Sequence, residues 1–226
     1  MSNVLLHRKA LILRKQKKSY SQIKEILGVS KSTLSGWLRA YPLTREEINN
    51  LRAHSEKRIE RYRQTMAKKR QTHLDSYYKI EKKRYLPLSP KELLVAGLFL
   101  YWGEGNKSDR NTLSINNTDP SLIKFALYWM VKGLHVSKSN IHVYIHLYSD
   151  MDIKRELKYW SKELGIPLRQ FVKPYIKESK RSEIDQKGFG HGTCGIRIHS
   201  TVVKEHILMA IKAISDRYGE RVSKLV

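Results

Sequence analysis

Glu104 closes an apolar run, GLFLYWGEGNK at residues 97–107. A carboxylate between two glycines at the end of so greasy a stretch is either an incidental helix end or a charge kept near a core for a purpose. Other candidate chemistry is thinner. His142 and His146 fall on one side of the alternating stretch IHVYIHLY, residues 141–148, but no acid or thiol at matching spacing completes a metal set. They read as surface or groove-facing histidines. GFGHGTCG, residues 188–195, leads into a strand and not a helix start, so it has no means of cradling phosphate and reads as a flexible turn. Cys194 is the single cysteine. It permits no internal disulfide and no cysteine-based zinc site, and with no partnered base in view it reads as a small buried residue.

Charge says more than any single residue. The 226 residues are 40% hydrophobic, enough for a core, yet Lys and Arg number 44 against 21 acids, a formal net charge of +23. Such an excess points to a polyanion, with nucleic acid first and an anionic membrane second. The opening MSNVLLHRKALILRK is interrupted by His7, Arg8 and Lys9, so it does not read as a signal peptide. The longest apolar run, residues 93–102, is too short to span a bilayer. A reduced, cytoplasmic location with no membrane partner is the expectation. Residues 1–86 hold 22 Lys/Arg and 7 Asp/Glu, a net of +15, which leaves +8 for residues 87–226. The first third is therefore the expected docking surface.

The elements that would position those charges begin with an all-α segment, residues 1–44. Val4 to Lys18 has broadly helical apolar spacing. In SYSQIKEILGVSKSTLSGWLRAYPLT, residues 19–44, Ile23, Ile26 and Leu27 make one apolar face of a short helix. Gly28 suits a turn that needs positive φ, and Ser30 can cap a second helix. Leu34, Trp37 and Leu38 form that helix's inward face, leaving Lys31, Ser32, Ser35 and Arg39 outward, and Pro42 stops it. The stretch resembles a helix-turn-helix of the resolvase and transposase type, on the glycine turn and the pattern GVSKSTLSGWL. The resemblance implies that Lys31 to Arg39 is a recognition helix lying in the major groove of double-stranded DNA. Its small hydroxyls permit close approach, Lys31 can reach phosphate or guanine, and Arg39 a backbone phosphate.

Residues 45–86 contain no Pro or Gly and read as one basic helical linker. Its apolar stripe is thin, while Lys57, Arg58, Arg61, Lys68 and Lys69 share a broad face. A helix of forty residues would be about 60 Å long. A solvated spacer and a weak dimeric coiled coil are its alternative uses.

Pro87 and Pro90 mark a boundary, and residues 87–226 alternate between helical and strand signals. Helices are expected at 91–104, 120–133, 150–164 and 200–217, and strands at 112–117, 141–148, 171–177 and 195–199. The class is α+β, with a small antiparallel sheet covered by helices on one face. LYWGEGNK followed by LSINNTDPSLIKF resembles the LAGLIDADG homing-endonuclease fold. That resemblance implies an αββαββα order in which the motif helix packs against its twin, small residues such as Ala96, Gly97 and Gly103 suiting the contact. It also implies that Glu104 emerges at the floor of a DNA-facing saddle and holds Mg²⁺, which selects hard carboxylate oxygens. Trp102 stands where the motif has its first acid, and one strand, not a hairpin, fits between Gly105 and Asp119. With one such motif, a complete saddle requires a homodimer.

Three functions follow as expectations. The first is a sequence-specific double-stranded DNA-binding protein of the regulator kind, because relatives of the resembled fold exist that keep the saddle and lose the chemistry. The second is a Mg²⁺-dependent endonuclease in which Glu104 works with a basic partner near phosphate, Lys173 and Lys177 being the candidates. The third, a structural or RNA-binding protein, has no aromatic-platform motif to support it. Binding is preferred, narrowly, to cutting.

Overall fold

The computed structural model describes residues 3–51, 54–183 and 190–222. The chain divides into two compact units, Met1–Leu86 and Pro87–Val226.

The first unit is helical: α1 (Asn3–Lys15), α2 (Tyr20–Leu27), α3 (Lys31–Trp37), α4 (Arg45–Asn49) and α5 (His54–Tyr85). Local chemistry sets most of the ends. Ser19 caps α2 in a reciprocal box with Gln22, and Gly28 ends it at φ 65°, its N–H donating to the Lys24 carbonyl. Ser30 caps α3 by accepting from the Thr33 N–H at 3.1 Å. Ala10, Tyr20, Ile23, Leu34 and Leu38 form the core of the three helices, with Leu27 and Trp37 packed beside it. Ile26, expected on the inward face of α2, is instead exposed.

Residues 45–86 are not one helix. Thr44 starts the short α4 through its own capping box, and Leu43, Ile48 and Leu51 collect into a second small core before α5 begins. An uninterrupted helix would leave Ile48 and Leu51 in water, so burial wins over helix continuity. The first turns of α5 are equally far from a solvated spacer: Glu56 and Glu60 are buried. Its 32 residues make a rod about 48 Å long at ~1.5 Å per residue.

The second unit runs α6 (Pro90–Glu104), β1 (Thr112–Asn117), α7 (Pro120–Tyr128, continued by a π-helical turn at Trp129–Gly133), β2 (His142–Tyr148), α8 (Ile153–Leu164), β3 (Tyr175–Lys177), β4 (Thr193–His199) and α9 (Thr201–Gly219). The sheet order is β1-β4-β2-β3. β4 is antiparallel to both its neighbours, while β3 lies parallel to β2. The sheet is therefore mixed and not wholly antiparallel. The reason is α8, a crossover helix that returns the chain to the end of the sheet from which β2 started. β3 is also shorter than the expected 171–177, because Pro174 has no N–H to give to a ladder. Phe171 makes only a single bridge, to Val143.

One strand separates α6 from α7, so the order is α-β-α-β-α-β-β-α, unlike the αββαββα that the resemblance implies. Leu113, Ile115, Val143, Ile145, Leu147, Cys194, Ile196 and Ile198 share one face and join Tyr101, Ile123, Trp129, Trp160 and Ile207 in the main core. Cys194 is buried there, and burial pushes its thiol pKa well up. Lys204 of α9 is buried too; its ammonium donates to the backbone carbonyls of Asn106, Asp109 and Thr112, which ties down the loop before β1.

Candidate nucleic-acid interface

α5 is locked against α1 and the start of α2 by buried charge. Arg14 and Glu60 meet in a two-pronged ion pair at 2.9 and 3.0 Å, with both side chains almost fully enclosed. Glu60 also accepts from the Tyr20 N–H at 3.0 Å, and Arg14 donates to the carbonyls of Tyr41 and Lys18. One turn earlier, Glu56 accepts from the Ser19 hydroxyl at 2.8 Å. Glu56, Glu60 and Arg14 are thus withdrawn from the surface, two acids against one cation, which leaves the solvent-facing charge one unit more positive than the net of +15.

This lock sets α5 alongside α3 and opens a cleft of about 1460 Å³ between them. Lys31, Ser35 and Arg39 line one side and Arg58, Arg63, Lys68 and Arg70 the other. Among the described residues no carboxylate pairs with any of these six cations. Arg63 is held in place: its guanidinium lies 4.2 Å from the Tyr20 ring centre and donates to the Lys31 carbonyl at 3.2 Å. Leu38, Ile59 and Met66 add apolar surface to its lining.

Of the residues expected to meet DNA, the cleft gathers Lys31, Ser35, Arg39, Arg58 and Lys68, while Ser32, Arg61 and Lys69 lie outside its lining. Ser32 is exposed and its hydroxyl shares a 2.8 Å hydrogen bond with the capping Ser30. Arg61 is spent on Asn49, to which it donates at 2.7 Å. α3 stops at Trp37, so Arg39 sits just past the helix and not within it. Arg63 and Arg70 are the members that sequence reasoning passed over. Their spacing of seven along one helix, in step with Ile59 and Met66, was the available signal.

In the second unit Glu104 is exposed at the end of α6, where its carboxylate accepts from the Asn117 side-chain amide at 3.2 Å. Asn117 lies on the helix-covered side of β1, by the alternation that buries Leu113 and Ile115. Lys177 lies on β3, beyond β4 and β2, on the opposite face. Three inter-strand steps of about 4.8 Å put the two strands some 14 Å apart. Lys173 is exposed ahead of β3. The three residues expected to act together are therefore not brought together. Among the described residues no group of three His, Cys, Asp or Glu is arranged to hold a metal ion. The donors that one chain presents at Glu104, a single carboxylate and an amide, do not make a Mg²⁺ set.

No protein-family model, curated protein or solved structure matches this chain.

The small residues of α6 are used differently from one another. Gly97 lies under the buried Trp129 ring, where an added Cβ would sit 2.0 Å from the indole nitrogen. Its smallness serves the interior of the unit. Gly103 faces open space. Val95, Phe99 and Trp102 form an apolar stripe on the outer side of the helix, each 37–49% exposed. Around the Gly-rich segment, His191 is anchored and not loose: it stacks on Tyr159 at 3.5 Å and pairs with the buried Glu156 at 2.6 Å. Residues 188 and 189 of that segment lie outside the described residues. Among the described residues no helix is long and apolar enough to cross a membrane.

Proposed function

We propose that the chain is a sequence-specific double-stranded DNA-binding protein of the regulator kind, acting in a reducing, cytoplasmic setting. The observation that carries this reading is the cleft beside α3: six cations without carboxylate partners among the described residues, next to a capped helix whose outer face bears small hydroxyls. Cations so placed neutralise phosphates and release counterions, while Ser32 and Ser35 can approach base edges. Binding is preferred to cleavage because Glu104 stands apart from Lys173 and Lys177. A homodimer accords with the outer stripe of α6, which leaves Val95, Phe99 and Trp102 for a second copy to cover.

Selection of bound duplexes by the parent and by variants tests the reading. Arg63→Gln with Arg70→Gln is expected to weaken binding to all duplexes alike and to lower the salt slope by about 0.9 for each phosphate no longer neutralised. Ser35→Ala is expected instead to blur the preference among sites. Unchanged affinity and unchanged preference in both would remove the cleft from the reading.

A further inference from the structure

Among the described residues, the face of the sheet opposite the main core carries no acid. Its positions, read across the strands, are Thr112 and His199; Ser114, Arg197 and His142; Asn116, Gly195 and Tyr144; Thr193, His146 and Tyr175; then Tyr148 and Lys177. The buried apolar residues of the sheet belong to the other side, where α6, α7, α8 and α9 contribute to one core; on this face Thr112, Ser114 and Gly195 are buried and the rings and cations stand above them. Tyr144, His146 and Tyr175 follow one another across and along the strands, with ring centres 5.7 and 5.3 Å apart. The cations stand against the rings: Arg197 lies 5.5 Å from the Tyr144 ring centre and Lys177 4.9 Å from that of Tyr148. Among the described residues neither cation has a carboxylate partner, and the buried Nε of Arg197 has no hydrogen-bond partner either. Tyr175 is 62% exposed at the edge of the row. Burial, and then the neighbouring Lys177, hold the pKa of His146 below its ordinary value, which keeps that ring neutral at neutral pH.

Rings in a row with cations beside them match a strand whose bases are unpaired. A duplex hides the faces of its bases, whereas a single strand offers each face for stacking and a phosphate to the adjoining cation. A face with positive charge and no acid repels nothing on such a strand. We infer that this face binds single-stranded DNA, the bases stacking on Tyr148 and Tyr175 while Lys177 and Arg197 meet phosphates. The choice of DNA over RNA rests on the duplex-binding reading of the first unit.

The test uses the full chain and fluorescence anisotropy with labelled dT20, rU20 and a duplex of twenty base pairs. Tyr144 is left intact because its ring packs on Gly195, where an added Cβ would lie 2.1 Å from the ring. Tyr148→Ala with Tyr175→Ala is expected to weaken dT20 binding at least tenfold, at about fivefold or more for each stacked base, and to leave duplex affinity within twofold. Tyr148→Phe with Tyr175→Phe is expected to keep dT20 affinity within twofold, since stacking needs the ring and not the hydroxyl. Lys177→Gln, which keeps every ring, is expected to lower the salt slope for dT20 by about 0.7. Arg63→Gln with Arg70→Gln is expected to do the reverse, weakening the duplex and sparing dT20. Binding of dT20 that survives both the alanine pair and Lys177→Gln would overturn the proposal, and so would equal losses on dT20 and duplex. Tighter binding of rU20 than of dT20 would overturn the assignment to DNA. A parent that binds dT20 through this face but binds no duplex would sink the reading of the first unit and leave this one standing.

Discussion

Replacing Glu60 by Ala should unfasten α5 from the helices it flanks. In the parent, Glu60 holds the buried Arg14 guanidinium by two bonds and accepts the Tyr20 N–H. Without it, Arg14 keeps its carbonyl partners on Tyr41 and Lys18 but is left as a buried cation with no counter-charge. Breaking such a pair from one side costs about 3–5 kcal/mol. A unit of 86 residues has a total stability of only about 4–13 kcal/mol at ~0.05–0.15 per residue. Each kcal/mol moves the midpoint of a unit this size by about 4–8 °C, so the first unit should melt at least ~12 °C lower. Thermal melting followed by circular dichroism would register the shift, and amide exchange over residues 10–38 would locate it. Arg14→Met with Glu60→Leu should recover part of the loss, because a packed apolar pair leaves no stranded charge. Recovery should stay incomplete, since the carbonyls of Tyr41 and Lys18 lose their donor. A midpoint lowered by less than about 4 °C in Glu60→Ala, or a double variant as unstable as the sum of the singles, would refute this account of the lock.

Three further outcomes are expected. Gly97→Ala should destabilise the second unit by at least about 1–3 kcal/mol in urea unfolding, because the new methyl must displace the enclosed Trp129 ring; a neutral result would mean that the packing of α6 on Trp129 is loose. Glu104→Gln should change stability by less than about 0.5 kcal/mol, as suits an exposed surface position, and melting with and without Mg²⁺ should not distinguish it from the parent; a Mg²⁺-dependent stabilisation present only in the parent would restore Glu104 as a metal ligand. His146 should make the second unit less stable in mild acid. Its folded pKa is lowered by burial and by Lys177, so the unfolded chain takes up its proton first as pH falls through about 6.5. That part of the stability is whole above the unfolded value and is lost as pH drops toward the folded one. Urea unfolding between pH 5 and 7.5 should show a shallower slope for His146→Gln, and identical slopes would show that the ring is open to water in the folded state.

Features governed by neighbours in the chain were legible in the sequence alone. The positive charge and its concentration in residues 1–86 need only counting. Gly28 and the cap at Ser30 are settled within four residues, which is the reach of a helix-end hydrogen bond. The alternation of residues 141–148 announced a strand with one buried face, and burial follows it residue by residue. What eluded sequence reading depends on partners far along the chain. α5 lies beside α1 because Glu60 finds Arg14, 46 residues away, and the cleft along α5 recruits Arg63 and Arg70. β3 lies parallel to β2 because α8 carries the chain back to the same end of the sheet. That arrangement places Lys177 across the sheet from Glu104, on the opposite face. The same register assembles Tyr144, His146, Tyr148 and Tyr175 into one surface from two strands that the sequence keeps apart. Side-chain alternation tells which face of its own strand a residue takes, but only the pairing of strands decides which residues share a face, and pairing is fixed by packing over the whole unit.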